Sequence, residues 1–153
     1  MNKYTIADVL PHKNPMILID EIGEYDDETC VAQVTITPKS PFYDSNKQGV
    51  PSYIGCEYMA QAIAGFAGAQ ALDIKKPVQI GFLLGSRKYK TFRPYFHLNE
   101  TLTITLKELY REDSGLRVFD CEIVDQEKVV IAQANINVYQ PNDPESFILE
   151  SYQ

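Results

Sequence analysis

Residues 50–72, VPSYIGCEYMAQAIAGFAGAQAL, decide the fold. This stretch predicts a helix over residues 52–72, the only long helix in the chain, because Ser52 follows Pro51 and can cap the first turn. Small side chains occur on nearly every side of this helix, at Ala60, Ala62, Ala64, Gly65, Ala67, Gly68, Ala69 and Ala71. Because small side chains let other backbone approach closely, we expect a central helix wrapped by a curved sheet.

Strands are predicted on both sides of this helix. Residues 16–24 and 29–37 are apolar and β-branched, with Asp26 and Asp27 at the turn between them, which predicts an N-terminal hairpin. Residues 38–50 are predicted to form a loop. Four more strands, at residues 78–90, 101–110, 116–124 and 129–139, are predicted to form an antiparallel meander. The order of hairpin, long helix and meander predicts an α+β fold, with one domain over residues 1–153 and a polar tail from about residue 141.

The composition excludes several classes of protein. The chain has 153 residues, of which 44% are hydrophobic and 23% charged, as in an ordinary folded domain and unlike a collagen-like or disordered chain. Three cysteines without CxxC spacing and two scattered histidines favour neither disulfides nor a metal site. The chain has no stretch typical of a membrane span or a secretory signal, so we expect a cytoplasmic protein.

The charge distribution leaves two interpretations open. The net charge of −7 argues against general nucleic-acid binding, because neutralising phosphates requires a basic surface. Residues 74–99 nevertheless contain six basic residues and no acidic one: Lys75, Lys76, Arg87, Lys88, Lys90 and Arg93. This cluster is either a solvated strand edge, where lysine blocks aggregation between sheets, or a docking patch for an acidic partner.

Two side chains are candidates for acid–base chemistry. His12 lies between two prolines that restrain the backbone, as suits a general base; the alternative is a loop histidine that only forms hydrogen bonds. Glu57 is the only charged residue in residues 48–72, and a buried carboxylate is costly unless it is paired or used. The alternative is a carboxylate satisfied by helix amides or exposed at the open edge of the sheet. Gln61, one turn later, shares the face of Glu57 and can orient it.

Two segments resemble motifs of the hot-dog-fold 3-hydroxyacyl-acyl-carrier-protein dehydratases. Residues 10–21, LPHKNPMILIDE, resemble the opening signature of that family. Residues 51–61, PSYIGCEYMAQ, resemble its helix motif, in which a catalytic carboxylate follows a proline by six residues and precedes Met-Ala-Gln. The sequence of residues 50–61 is similar to that of accessory dehydratases from aryl-polyene and related pathways. The resemblance implies a long helix wrapped by an antiparallel sheet, and a homodimer that places the histidine of one subunit against the carboxylate of the other.

The resemblance also implies a reaction and a role for each candidate residue. The reaction is loss of water from a 3-hydroxyacyl thioester on acyl carrier protein, in fatty-acid or aryl-polyene-like synthesis. His12 would remove the C2 proton, and Glu57 would orient or protonate the departing hydroxyl. The amide of Ser52 would polarise the thioester carbonyl, and Gln61 would help to bind the substrate. No cofactor beyond the phosphopantetheine arm is required, and the acidic carrier would dock on Arg87, Lys88, Lys90 and Arg93.

The chain departs from the housekeeping dehydratases at two places. Those enzymes have His-Phe-Pro before the helix and glycine after the proline that starts it, whereas this chain has Phe42-Tyr43-Asp44 and Ser52. Two alternatives therefore stay open. One is a hot-dog acyl thioesterase, which uses a helix carboxylate and needs no Pro-His segment. The other is a non-catalytic acyl-binding subunit.

Overall fold

The computed structural model of the protein describes residues 3–12, 16–78 and 82–140, with side chains throughout except at residues 82–87. Within these ranges the chain forms two α-helices, a 3-10 helix and eight strands. In chain order they are α1 (Ile6–Val9), β1 (Glu21–Tyr25), β2 (Thr29–Thr35), β3 (Gly49–Pro51), the 3-10 helix (Ser52–Ile54), α2 (Gly55–Asp73), β4 (Phe82–Thr91), β5 (Tyr95–His97), β6 (Thr101–Arg111), β7 (Leu116–Val124) and β8 (Val130–Tyr139).

Six strands form one antiparallel sheet in the order β1-β2-β6-β7-β8-β4. The predicted hairpin is present as β1 and β2, and β2 joins it to β6 in continuous register from Thr29↔Lys107 to Thr35↔Thr101. The predicted four-strand meander is wrong in one respect. Only β6, β7 and β8 follow one another, because the chain crosses over after α2 and adds β4 to the far edge, beside β8.

A short second sheet was not predicted. β3 and β5 pair through Gly49↔His97, Val50↔Phe96 and Pro51↔Tyr95. A side chain on Gly49 would place its Cβ 2.5 Å from the Phe96 carbonyl oxygen, so this pairing requires glycine. Strands of three residues are too short to show periodicity in a sequence, which explains why residues 49 and 50 were assigned to a loop.

The predicted long helix is present, although it starts differently. Ser52 opens the 3-10 helix, and α2 itself begins at Gly55 without a side-chain cap, so the predicted capping by Ser52 is wrong. α2 contacts all six strands of the large sheet and buries side chains on most of its faces, including Tyr58, Met59, Ala62, Phe66 and Ala69. This arrangement of one central helix against a large antiparallel sheet confirms the predicted hot-dog fold.

The small residues of α2 allow the N-terminal segment to pack directly on it. A Cβ on Gly68 would lie 1.9 Å from the Val9 carbonyl oxygen, and one on Gly65 would lie 2.7 Å from the Ile22 side chain. α1 is itself closed by a capping box, in which Thr5 and Asp8 exchange side-chain and backbone hydrogen bonds. The N-terminal segment is therefore held close to α2.

The first strand is shorter than predicted. β1 begins at Glu21 rather than at residue 16. At the turn that follows β1, the Asp26 carboxylate accepts hydrogen bonds from the backbone N–H groups of Glu28 and Thr29.

The predicted tail, residues 141–153, lies outside the described residues. Among the residues that are described, no helix is long and apolar enough to cross a membrane.

Candidate active site

One pocket contains both predicted catalytic side chains. It lies against α2 and has an empty volume of about 640 Å³, including the part open to solvent. Its polar lining consists of His12, Glu57, Gln61, Arg117 and Gln140, and its apolar lining of Ala60, Ile63, Ala64, Ala67 and Val138. Folding therefore brings His12 and Glu57 together in the same chain.

The chain is held in place both before and after His12. It follows α1 closely, where Val9 and Leu10 are buried. Beyond it, Gln61 holds the chain: its Oε1 accepts the backbone N–H of Leu18 at 2.8 Å, and its Nε2 donates to the Met16 carbonyl at 2.6 Å. Both hydrogen bonds of the Gln61 amide go to backbone, and among the described residues none goes to Glu57. The prediction that Gln61 orients Glu57 is not supported; Gln61 positions the segment that follows His12.

The His12 ring is partly buried, and this burial lowers its pKa below the ordinary value of 6.5. The negative charge of Glu57 acts in the opposite direction and raises the pKa, but by less than burial lowers it. The ring nitrogen Nδ1 is buried and has no hydrogen-bond partner among the described residues. A lowered pKa keeps the imidazole neutral at pH 7, and the neutral imidazole is the form that accepts a proton.

Glu57 is exposed in this chain, so the expectation that it is buried is wrong. It belongs to the first turn of α2 and lines the pocket. Its exposure agrees with the alternative interpretation of a solvent-exposed carboxylate.

Ser52 does not have the predicted free amide. Its N–H donates to the Pro94 carbonyl at 2.9 Å, and its carbonyl accepts the Tyr89 hydroxyl at 2.5 Å. A backbone amide has one hydrogen, and here the short β3–β5 region uses it. Ser52 is also buried and does not line the pocket. These contacts contradict the predicted role of Ser52 in polarising the thioester carbonyl.

The predicted docking residues whose side chains are described lie beside carboxylates. The Arg93 guanidinium Nη2 binds both carboxylate oxygens of Glu100, each at 2.7 Å. Lys88 and Lys90 lie in a shallow depression that two carboxylates also line. Its lining residues are Lys88, Lys90, Asp120, Glu122, Gln133, Ala134 and Asn135. Arg87 lies in β4, and its side chain is outside the described set. The positions of the described members favour a solvated strand surface over a docking patch.

One pocket residue, Arg117, was missed by the sequence analysis. Its side chain is buried, with Nε donating to Glu108 at 2.5 Å and Nη2 donating to Gln70 at 3.0 Å. The guanidinium lies over the rings of Phe66 and Phe119, 5.7 and 5.1 Å from their centroids. Alternation along β7 places Arg117 on the inward face with Phe119, and this signal was readable in the sequence.

Comparisons of sequence agree with this site. The pattern of the ApeP-like family, described as ApeP dehydratase, matches residues 4–149. The 3-hydroxyacyl-acyl-carrier-protein dehydratase FabZ of Streptococcus pneumoniae serotype 4 is 34% identical over 79 residues, which are 52% of this chain and 54% of FabZ. The chain thus spans about half the length of the curated relatives it matches.

Comparisons of structure lead to the same family. The dehydratase heterocomplex ApeI:P from Xenorhabdus doucetiae contains a chain that is 28% identical, with a TM-score of 0.88 and coverage of 97% of this chain and 98% of that one. The Escherichia coli PaaI protein from the phenylacetic acid degradation operon, at 19% identity, has a TM-score of 0.60 and coverage of 78% and 82%. The latter likeness shows the fold alone. From the sequence match over residues 4–149, the chain belongs to the ApeP-like dehydratase family.

Proposed function

We propose that this protein removes water from a 3-hydroxyacyl thioester carried on acyl carrier protein, giving the 2-enoyl thioester. The observation that carries the proposal is that His12, with its lowered pKa, and Glu57 line one pocket of the same chain. Membership of a family described as dehydratases supports it. The FabZ relatives, which are named for the same reaction, support it too.

The proposed chemistry requires one base and one acid. Neutral His12 takes the proton from C2, whose electrons form the C2–C3 double bond while the C3–O bond breaks. Glu57, in its protonated form, gives its proton to the departing hydroxyl, so that water leaves. The proton held by His12 then returns to the Glu57 carboxylate. No electrons are exchanged with another molecule, so the reaction needs no cofactor beyond the phosphopantetheine arm that carries the substrate.

A second subunit is part of the proposal. Glu57 is exposed and the buried His12 Nδ1 has no partner among the described residues, so this chain leaves the pocket incompletely covered. Covering it would exclude water from the space between the two side chains. The likeness to a chain of the ApeI:P heterocomplex supports pairing with a second dehydratase subunit, and the family resemblance supports a homodimer. A cytoplasmic location and an acidic carrier protein as partner also remain predictions.

The deciding experiment is incubation of the protein with a 3-hydroxyacyl thioester on carrier protein, followed by mass measurement of the product. We expect loss of one water by the wild type, and at least a ~10²-fold lower rate for His12→Ala and for Glu57→Ala. His97→Ala is the matched control, because His97 is the other histidine of the chain, is exposed and does not line the pocket.

The same measurement separates the alternatives. A free acid and a free thiol would identify a thioesterase. Intact substrate that stays bound would identify an acyl-binding subunit. Either of these two results would contradict the proposed function if the wild type gave it both alone and when mixed with a partner dehydratase subunit.

A further inference from the structure

The first turn of α2, which carries Glu57, is held by a side chain from another element. Ser52 and Cys56 are four residues apart, the spacing at which an α-helix closes a backbone hydrogen bond. The Tyr89 hydroxyl of β4 binds at this point: it donates to the Ser52 carbonyl at 2.5 Å, and the Cys56 backbone N–H donates to its oxygen. One hydroxyl therefore binds two backbone groups at the start of the helix.

α2 has no cap of its own at this end. Gly55 begins the helix, and Ile54 before it offers no capping side chain. The first N–H groups of a helix have no acceptor within it and need partners from elsewhere. Tyr89 supplies such a partner to Cys56, the residue directly before Glu57.

Gly55 leaves the space that the Tyr89 hydroxyl occupies. A Cβ at residue 55 would overlap the Tyr89 oxygen and would also press on the Phe96 ring. The φ of Gly55 is −55°, an ordinary helical value, so the position does not require glycine for its backbone conformation. Glycine costs a helix about 1 kcal/mol relative to alanine. The close approach of the hydroxyl therefore explains why glycine stands here.

β4 is irregular where it carries Tyr89. Between Arg87 and Lys90, β4 advances three residues while its partner strand β8 advances two, so β4 contains a β-bulge. Lys88 in this bulge has a φ of +57°, which is uncommon for a residue other than glycine. Bulges change the direction of the side chains beside them. Here the partly buried Tyr89 reaches α2, while the lysines on either side of it are exposed.

We propose that Tyr89 is a positioning residue, whose hydroxyl fixes the first turn of α2 and thereby the direction in which Glu57 projects beside His12. Tyr89 does not itself line the pocket, so it acts through the helix rather than on the substrate. Its effect on catalysis rests on the proposed function, because it takes Glu57 to be the acid. Without the hydroxyl the residues that line the pocket are unchanged, but Glu57 samples more directions. The chemical step therefore slows while substrate binding is retained.

The test removes one tyrosine hydroxyl at each end of α2. Tyr89→Phe removes the hydroxyl that binds the first turn. The matched control, Tyr25→Phe, removes a hydroxyl that donates at 2.8 Å to Asp73, the last residue of the helix. We expect kcat on a 3-hydroxyacyl thioester to fall about 10- to 100-fold in Tyr89→Phe, with KM within about 2-fold of the wild-type value. Tyr25→Phe should keep both constants.

A double-mutant cycle shows whether Tyr89 acts through Glu57. If it does, adding Tyr89→Phe to Glu57→Ala lowers the residual rate no further, because the side chain that Tyr89 positions is already gone. A hydroxyl that only stabilised the fold would lower the rate in both backgrounds. A further loss in the Glu57→Ala background, an unchanged kcat in Tyr89→Phe, or equal losses in the two tyrosine variants would each overturn the inference.

NMR titration of His12 separates this inference from the proposed function. The charge of Glu57 raises the pKa of His12, so this pKa reports where Glu57 lies even if the protein converts no substrate. We expect Tyr89→Phe to lower the midpoint towards that of Glu57→Gln, and Tyr25→Phe to leave it unchanged. If this shift occurs but the wild type dehydrates nothing, the positioning of Glu57 stands and the dehydratase proposal fails. If the wild type dehydrates its substrate but Tyr89→Phe changes neither kcat nor the midpoint, the inference is overturned and the dehydratase proposal stands.

Discussion

At the scale of single residues, His12 and Glu57 differ in how well this chain covers them. His12 is partly buried and its pKa is lowered, whereas Glu57 is exposed. This chain therefore covers the candidate base more fully than the candidate acid.

The pKa of His12 is directly measurable. We expect the His12 imidazole to titrate below the ordinary value of 6.5, so that it stays neutral at pH 7 and loses its basic form only in more acidic solution. In Glu57→Gln the midpoint should move lower still, because the charge that raises the pKa is removed. NMR titration of the imidazole signals measures both midpoints.

The assignment is simple because the chain has two histidines. His97→Gln removes the other signal and identifies that of His12. A midpoint at or above 6.5, or one that does not respond to Glu57→Gln, would contradict the proposed environment.

Four residues show how much of the site the sequence predicted at this scale. The pair His12 and Glu57 was identified from residue type and motif spacing, and the structure places both in one pocket. The amide of Ser52 and the Gln61 side chain instead bind the backbone of Pro94, Met16 and Leu18, while Gln61 still lines the pocket. Which hydrogen-bonding groups remain free depends on distant partners, and no local pattern reveals that.

At the scale of secondary-structure elements, the contact between α1 and α2 holds the His12 segment against the pocket. Gly68 permits this contact, because a Cβ there would lie 1.9 Å from the Val9 carbonyl oxygen. Backbone cannot move aside as the end of a side chain can. The position thus requires glycine for close approach.

We predict that Gly68→Ala destabilises the protein by about 1–3 kcal/mol, although alanine favours the helix by about 1 kcal/mol over glycine. Urea unfolding measures the difference. Gly65→Ala is the matched control on the same helix, where the new Cβ meets the Ile22 side chain instead of backbone. Equal stability changes in the two variants would show that the contact with α1 is not the cause.

At the scale of the whole molecule, Asp73 ties the N-terminus and β1 to the end of α2. Its carboxylate accepts the Tyr4 and Tyr25 hydroxyls at 2.6 and 2.8 Å and lies 2.6 Å from the Lys3 ammonium. The hydrogen bonds from Lys3 and Tyr4 are the largest causes that lower its pKa, from 3.8 to about 2. Three segments distant in sequence therefore meet at one carboxylate.

The stability that Asp73 provides should depend on pH. Because its pKa is lower in the folded than in the unfolded state, the contribution is fully present above about pH 5 and is lost as pH falls towards 2. We predict that Asp73→Asn is less stable than the wild type at pH 7 and that the difference shrinks at pH 3. Urea unfolding at both pH values measures this, with Asp27→Asn as a control at an exposed turn. A difference that does not depend on pH would contradict the assignment to Asp73.

Whether the candidate active site forms within one chain or between two is also a property of the whole molecule. The family resemblance implies that the histidine and the carboxylate come from different subunits, whereas here one chain places both in a single pocket. We predict that mixing His12→Ala with Glu57→Ala, after unfolding and refolding together, restores no dehydration. Sites formed across subunits would instead recover activity in part, and a wild-type sample taken through the same refolding provides the reference rate.

The sequence by itself determined the long central helix, the hairpin and strands β6 to β8, because local periodicity and turn residues encode them. Motif spacing also singled out His12 and Glu57, which line one pocket. Only the tertiary structure decided that β4 joins the far edge of the sheet, that Glu57 is exposed and that Arg117 lines the pocket. The physical reason is that these properties depend on contacts between residues far apart in the chain. Local sequence sets which face of an element is apolar, but the packing of other elements sets what covers that face.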